Sequence, residues 1–191
     1  MKFIQSMLAL CLLCWSSAYA DTTIVIVRHG EKPALGLGQL SCQGLNRSLA
    51  LAPLLLANYG KPVAIYAPNP TLKKIDSGVA YAYIRPLATI EPFAISVGMP
   101  VNLDWGMTEV GELAKVLLAR NEGTQIVAWE HHLAEKLAKD LLGALGANPA
   151  QVPEWDNSDF DSIYVVRVAG QLASFTHEQQ GLNNLPASCK Q

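Results

Sequence analysis

Ile24-Val25-Ile26-Val27-Arg28-His29-Gly30-Glu31 sets the architecture expected for this chain. Its four consecutive β-branched residues predict a strand buried on both faces, as in the centre of a parallel sheet. Such sheets bind ligands at the carboxyl ends of their strands, where Arg28 and His29 would lie. The Arg28 guanidinium suits phosphate oxygens, a neutral His29 can act as a nucleophile, and Gly30 lets the backbone turn and approach a ligand closely. A surface Arg-His pair is the alternative interpretation of this tripeptide alone.

The rest of the chain alternates between strand and helix patterns. Apolar spacing predicts helices over residues 43–58, 85–97, from about 109, and 133–145, and strands over residues 63–67, 101–103, 126–129 and 162–168. Pro53 should kink or restart the first helix, and Thr108 is the expected cap of the third. The alternation predicts a three-layer α/β/α sandwich around a mainly parallel central sheet. The tail after about residue 177 is expected to be loosely structured.

Arg28-His29-Gly30-Glu31 resembles the opening motif of the histidine phosphatase superfamily, also called phosphoglycerate mutase-like. Three further blocks follow in the family's order: residues 40–47 (LSCQGLNR), Arg85 with Thr89 four residues later, and the strand that leads to His131. The blocks span about 110 residues, and four blocks in order are far more specific than any one of them. The resemblance implies the small branch of the family, without a large cap domain.

The resemblance also implies a two-step phosphoryl transfer. His29 attacks phosphorus and forms a phosphohistidine, which water then hydrolyses. Arg28 and Arg85 clamp the non-bridging oxygens, and His131 donates a further hydrogen bond to them. The scheme requires no metal and no other cofactor.

The histidines leave two alternatives open. His131 and His132 are adjacent, so only one can point to the site if the strand ends there, and the family's alignment places His131 in the pocket and His132 at the rim. A zinc site formed by His29, His131 and His132 lacks the i, i+4 spacing of helical zinc sites and a clear third carboxylate. His177, near the tail, is expected to be solvated.

The group that protonates the leaving group is open between Asp104, Glu109 and Glu130. Asp104-Trp105-Gly106 resembles the family's acidic-aromatic-glycine segment, but the family's acid usually lies slightly upstream, where this chain has Asn102. Asp104 and Glu109 could equally be a turn residue and a first-turn helix acid. If Asn102 does replace the acid, activity mainly on esters with good leaving groups is expected.

The segment before Arg85 departs from the family pattern. Many members have a Ser-Pro pair a few residues before this arginine, whereas the similar Ala67-Pro68 lies 18 residues upstream here. Residues 69–83 are therefore expected to form an insertion over the pocket. Lys73 and Lys74 within it could bind an anionic substrate or belong to a solvated loop face.

The first 20 residues have the three parts of a secretory signal peptide. A basic start at Lys2 precedes an apolar run over residues 7–15 and an Ala-x-Ala site at residues 18–20. The run is shorter than the ~20 residues of a membrane-spanning helix. Cleavage after Ala20 is therefore expected, giving an exported protein, periplasmic or secreted, with no stable membrane anchor.

Residues 21–191 are enough for one domain with a sizeable core, and hardly for two. The full chain has 14 Lys and Arg against 16 Asp and Glu, a formal net charge of −2, and loss of Lys2 makes it one unit more negative. No excess of basic residues points to a nucleic-acid partner. Cys42 and Cys189 remain after cleavage and could form a disulfide in an oxidising compartment, or stay unpaired as small buried residues.

These observations predict an exported phosphatase that acts on a small-molecule phosphate ester or a phosphorylated protein. A non-catalytic phosphate- or anion-binding protein on the same fold is the alternative, favoured if no acid is placed to protonate a leaving group. A small mutase is a third interpretation, although an exported protein has little need of glycolytic intermediates. The physiological substrate and the oligomeric state cannot be read from the sequence.

Overall fold

A computed structural model describes residues 21–120, 122–170 and 172–189. The predicted signal peptide, residues 1–20, lies outside the described residues. The helices are α1 (Cys42–Tyr59), α2 (Arg85–Val97), α3 (Val110–Ala119) and α4 (His131–Ala144), with a short 3-10 turn at Pro149–Gln151. The strands are β1 (Thr22–Arg28), β2 (Ala64–Tyr66), β3 (Lys73–Asp76), β4 (Val79–Ala82), β5 (Gly123–Trp129), β6 (Ser162–Ala169) and β7 (Leu172–Gln179).

The central sheet has the strand order β2-β5-β1-β6-β7, and β3 and β4 form a separate hairpin. β1 pairs in parallel with β5, and β5 with β2, whereas β6 is antiparallel to both of its neighbours. Four of the five strands thus run in one direction, and β6 is the exception. The predicted α/β fold with a mainly parallel central sheet is confirmed.

β1 lies at the centre of the sheet and is covered on both faces. Val25 and Val27 pack in the core under α1 and α2, and Ile24 and Ile26 pack in the core under α3 and α4. All four side chains are fully buried, and each contributes about 1.5–3 kcal/mol to the free energy of folding through burial. In the part of the chain that the structure describes, no helix combines the length and apolarity needed to cross a bilayer.

The helices differ locally from the sequence expectations. Pro53 does not restart α1, which runs from Cys42 to Tyr59 as one helix; the proline is exposed, so its ring lies on the solvent side of the helix. Thr108 does not cap α3, whose N-cap position is Glu109. The predicted strand at residues 101–103 is reduced to a single bridge between Tyr66 and Asn102.

The end of the chain is more ordered than its sequence suggests. β7 pairs with β6 along its whole length, so the tail before residue 180 is not loosely structured. His177 belongs to β7 and is exposed as expected, with its Nε2 2.6 Å from Ser162 Oγ. β7 was missed because its exposed, mostly polar residues give no buried-strand pattern.

The C-terminal tail is attached to the beginning of α1. Cys42 is the first residue of α1 and forms a disulfide with Cys189. Asn46 Nδ2, one turn later, donates hydrogen bonds to the carbonyl oxygens of Pro186 (2.9 Å) and Ser188 (3.0 Å). The tail is therefore fixed beside the loop that follows β1.

Replacing both cysteines, Cys42→Ser with Cys189→Ser, is expected to lower the free energy of unfolding by about 2–5 kcal/mol. The bond closes a sequence separation of 147 residues, so its loss frees a long loop in the unfolded chain. Urea denaturation of the variant and the wild type, each with and without reductant, measures the effect. Equal stability of all four samples would contradict it.

Candidate active site

His29 lies at the carboxyl edge of the sheet, directly after β1. Its backbone N–H donates to the carbonyl oxygen of Trp129, the last residue of β5, at 3.0 Å. β1 and β5 are adjacent and parallel, with Arg28 in register with Trp129. The pairing therefore brings His29 to the same edge as Glu130 and His131.

The His29 imidazole is held in its neutral form. Its Nδ1 lies 2.7 Å from the carbonyl oxygen of Gly30, and since a carbonyl only accepts, Nδ1 carries the proton and Nε2 keeps its lone pair. Burial, helped by the charges of Arg85 and Arg28, lowers the pKa of His29 to about 3, although the bond to Gly30 acts in the opposite direction. At neutral pH the ring is uncharged, as nucleophilic attack requires.

The depressed pKa of His29 predicts a loss of stability in acid. Between pH 6.5, its ordinary pKa, and pH 3, the unfolded chain binds a proton that the folded chain does not, so the free energy of unfolding falls as the pH falls. The expected decrease from this group is about 2–3 kcal/mol between pH 6.5 and 4.5. Urea denaturation at both pH values, with His29→Asn beside the wild type, measures it; an unchanged pH dependence in the variant would refute this origin.

Arg28 is fixed by the loop before β6. Its Nη1 donates to the carbonyl oxygens of Asp156 (3.3 Å), Asn157 (2.9 Å) and Asp159 (2.7 Å). Its guanidinium lies 3.8 Å from the centre of the Phe160 ring. One edge of the guanidinium is thus used for structure, which leaves the other nitrogens to bind a ligand.

Arg85, the first residue of α2, is fixed by the β3–β4 hairpin. Its Nη1 donates to Asp76 Oδ2 at 2.6 Å and to the Gly36 carbonyl oxygen at 3.3 Å. Burial acts against ionisation of Asp76, but the bonds from Arg85 and the Gly38 N–H hold the pKa of this carboxyl below its ordinary value. Gly36 has φ +74°, and a Cβ there would overlap the Asp76 carboxyl. Asp76 is a positioning residue that the sequence did not indicate.

Tyr83 is a second site residue missed from the sequence. Its ring meets the His29 ring edge-on, with centroids 5.9 Å apart, and the Arg85 guanidinium carbon lies 4.8 Å from its centre. The side chain is 1% exposed, and burial raises the pKa of its phenol. The hydroxyl therefore keeps its proton and can only donate to an anion. The sequence feature that could have indicated Tyr83 is the presence of an aromatic residue two positions before Arg85, inside the insertion.

The insertion expected over residues 69–83 folds as the β3–β4 hairpin beside the site. Lys73 is exposed, whereas Lys74 is half-buried with its Nζ 5.1 Å from the centre of the Tyr83 ring. Lys73, Lys74 and Tyr83 line one cavity. The two lysines therefore lie next to the site, and Lys74 is the more enclosed.

His131, rather than His132, is the buried histidine at the start of α4. His131 Nε2 lies 2.7 Å from Asn157 Oδ1, and the Asn157 carbonyl oxygen accepts from Arg28, so this asparagine joins the two side chains. His132 is exposed and stacks on His131 with centroids 4.0 Å apart. His131 Nδ1 lies 2.8 Å from Glu130 Oε1, at an angle outside hydrogen-bond geometry.

Glu130 is in the wrong protonation state for a general acid. Its carboxylate caps α4 by accepting from the Leu133 N–H at 3.1 Å. Burial raises its pKa, but the adjacent His131 imidazole, 2.8 Å away, and the bond from the Leu133 N–H outweigh burial and lower the pKa to about 2. Glu130 is therefore a carboxylate at neutral pH.

The other two acid candidates are used or placed elsewhere. Glu109 Oε2 accepts from the Gly106 N–H at 2.6 Å and closes the turn before α3. Asp104 is exposed and borders a groove along β2, and its N–H is bonded to the Asn102 side chain at 2.9 Å. Within the described ranges, no hydrogen bond or salt bridge connects Asp104 or Glu109 to His29.

Gly30 allows the loop after β1 to pack closely against α1. A Cβ at Gly30 would lie 2.9 Å from the backbone oxygen of Gly44 in the first turn of α1, so only glycine allows this contact. Glu31 then pairs with the buried Arg47 of α1 at 2.7 Å, and Arg47 also pairs with Asp161 at 3.1 Å. These contacts hold the loop after His29 rigidly against α1.

Four buried side-chain polar atoms lack a hydrogen-bond partner among the described residues, and all belong to this site. They are Arg28 Nε, Arg85 Nε, Tyr83 Oη and His131 Nδ1. Such atoms are rare in native proteins because each costs about 1–3 kcal/mol when left unpaired. Three of these atoms are donors, on Arg28, Arg85 and Tyr83, whereas His131 Nδ1 faces the Glu130 carboxylate. The three donors beside a neutral imidazole fit an oxyanion ligand.

The comparisons with known proteins establish the fold. No family model matches the chain, and no curated protein matches it either. Among solved structures, it is similar to the protein histidine phosphatase SixA complexed with tungstate, at 16% identity and a TM-score of 0.57, covering 83% of this chain and 97% of that one. It is also similar to a mutant phosphoserine phosphatase from Entamoeba histolytica in complex with phosphoserine, at 13% identity and a TM-score of 0.52, covering 85% and 98%. The chain thus has the fold of the histidine phosphatase superfamily, as the resemblance implied.

Proposed function

We propose that this chain is a phosphatase that hydrolyses phosphate monoesters or phosphorylated protein side chains through a phosphohistidine on His29. The observation that carries the proposal is the neutral His29 imidazole, whose Nδ1 is tied to Gly30 while Nε2 keeps its lone pair. The unpaired donors around it support the same chemistry, since three phosphoryl oxygens need donors on several sides.

The reaction follows in two steps. His29 Nε2 forms a bond to phosphorus while the bond from phosphorus to the leaving group breaks, and the leaving group departs as an anion that takes a proton from solvent water. Water then attacks phosphorus, the N–P bond breaks, the attacking water releases a proton to solvent, inorganic phosphate departs, and His29 returns to its neutral form. Arg28 and Arg85 neutralise the charge that spreads over the phosphoryl oxygens, so no metal or other cofactor is needed.

The ionised state of Glu130 restricts the substrates. Glu130 is ionised, and Asp104 and Glu109 are placed elsewhere. Substrates whose leaving group departs with little protonation, such as a phenol or an imidazole, are therefore favoured over esters of alcohols. Proteins described as phosphohistidine phosphatases share the fold, and a phosphorylated imidazole is a leaving group of this kind. The same observation favours the alternative, a non-catalytic phosphate- or anion-binding protein.

Phosphate release by residues 21–191, with a chelator present, tests the proposal. Hydrolysis of p-nitrophenyl phosphate and of a phosphohistidine peptide is expected, with phosphoserine slower by about 10²-fold in kcat/KM, the usual contribution of a general acid. Loss of activity on chelation would contradict metal independence. No release from any substrate, with vanadate still bound by the folded protein, would establish the anion-binding alternative.

Export is part of the proposal. The signal-like segment at residues 1–20 supports it, and so does the Cys42–Cys189 disulfide, since such bonds persist in oxidising compartments. Expression of the full chain, followed by fractionation and N-terminal sequencing, should find a protein beginning at Asp21 outside the cytoplasm. An uncleaved cytoplasmic protein would contradict export.

A further inference from the structure

A cavity of about 240 Å³ lies between the β3–β4 hairpin and the loop that precedes α3. It is lined by Leu72, Lys73, Lys74, Tyr83, Met107 and Thr108. Tyr83 belongs both to this cavity and to the phosphate site, since its ring meets the His29 ring edge-on. The cavity is therefore adjacent to the site at which His29 would receive a phosphoryl group.

The cavity presents two unpaired donors. Tyr83 Oη is buried and has no partner among the described residues. The Lys74 ammonium forms neither a salt bridge nor a hydrogen bond with them, although the side chain is half-buried. Both groups can donate to an anionic oxygen; the ammonium cannot accept a hydrogen bond, whereas the phenol oxygen can.

No neighbouring carboxylate neutralises the Lys74 ammonium by direct contact. The charges of Glu130 and Asp76 attract it only over longer distances, and Arg85 and Lys32 add positive charge nearby. Asp76 is already paired with Arg85, and no carboxylate of the described residues lies within salt-bridge distance of Lys74. The cavity is thus a cationic, partly enclosed site in a chain whose net charge is negative.

The rest of the wall is mixed: Lys73 and Thr108 are polar, and Leu72 and Met107 offer apolar contact. The volume is below the roughly 300–1,000 Å³ of a pocket for a drug-sized ligand. It suits a group of the size of one aromatic ring or one amino-acid side chain.

We propose that this cavity binds the leaving group of the substrate, and that the leaving group carries a carboxylate that pairs with Lys74 and accepts a hydrogen bond from Tyr83 Oη. The inference rests on the proposed phosphatase activity and assigns its substrate class: small phosphate esters with an acidic, partly apolar leaving group. Leu72 and Met107 contact the apolar part of that group.

The test compares two substrates of nearly equal shape, 3-carboxyphenyl phosphate and 3-carbamoylphenyl phosphate. We expect kcat/KM for the carboxylate to exceed that for the amide by roughly tenfold, as for one charge-assisted hydrogen bond. Lys74→Met should remove this preference by lowering kcat/KM for the carboxylate substrate while leaving kcat/KM for the amide unchanged. The two leaving groups differ in acidity, but this difference cancels when the carboxylate-to-amide ratio of kcat/KM in the variant is compared with that in the wild type.

Lys61→Met is the matched control. Lys61 is exposed and precedes β2, at the opposite end of the sheet from His29, so the variant loses the same charge and should keep the preference. An equal loss on both substrates in Lys74→Met would assign this lysine to the transferred phosphoryl group and overturn the inference, as would an unchanged preference. Failure to hydrolyse either substrate would overturn the phosphatase proposal itself, whereas hydrolysis of the amide alone would overturn only the assignment of the cavity.

Discussion

His29→Ala is expected to lower kcat/KM for p-nitrophenyl phosphate by on the order of 10⁴-fold or more, as loss of a nucleophile does in other enzymes with covalent intermediates. The change removes the only group that the proposal places to attack phosphorus, and it leaves Arg28 and Arg85 on their own partners, the loop before β6 and Asp76. Vanadate or tungstate binding should therefore persist in the variant.

The intermediate provides a second measurement. Rapid acid-free quenching of the wild type during turnover should trap one phosphoryl group per chain on a peptide that contains His29, and mass spectrometry should not find it in His29→Ala. His177→Ala is the matched control, because it removes an exposed imidazole from β7. Comparable turnover in His29→Ala and the wild type would mean that water attacks the substrate directly, against the covalent scheme.

Sequence reasoning found the parts of this site that depend on strand order. The run of four β-branched residues required a strand covered on both faces, and the parallel pairing of β1 with β5 then placed His29 and His131 at one edge. Arg85 was found through the resemblance, as the family's second arginine block, and so was the choice of His131 over His132. The position of Arg28 and His29 at the carboxyl edge follows from local pattern and from the geometry of parallel sheets.

The features that were missed depend on contacts between distant segments. Asp76 lies within an insertion that carries no recognisable pattern, and its role follows only from the fit of Gly36 and Arg85 around it. The low pKa of Glu130 requires knowing that its carboxylate caps α4. β7 is exposed and mostly polar, so it can be recognised as a strand only from its pairing with β6. None of these contacts is encoded in the spacing of neighbouring residues.

Arg85→Gln is expected to reduce kcat/KM by about 10²–10³-fold, the cost of removing one preorganised donor to a developing oxyanion. It should also lower the free energy of unfolding, by about 3–5 kcal/mol, because it leaves the buried Asp76 carboxylate without its cation. Activity and stability thus change together in the single variant.

The double variant Arg85→Gln with Asp76→Asn separates the two effects. It removes the unpaired carboxylate, so most of the lost stability should return, as measured by urea denaturation. The guanidinium is still missing, so the rate of p-nitrophenyl phosphate hydrolysis should stay low. If activity returned with stability, Arg85 would act only by holding the β3–β4 hairpin in place. A rate that stays low in a stable protein requires that Arg85 act on the phosphoryl group, since the hairpin is then held without it.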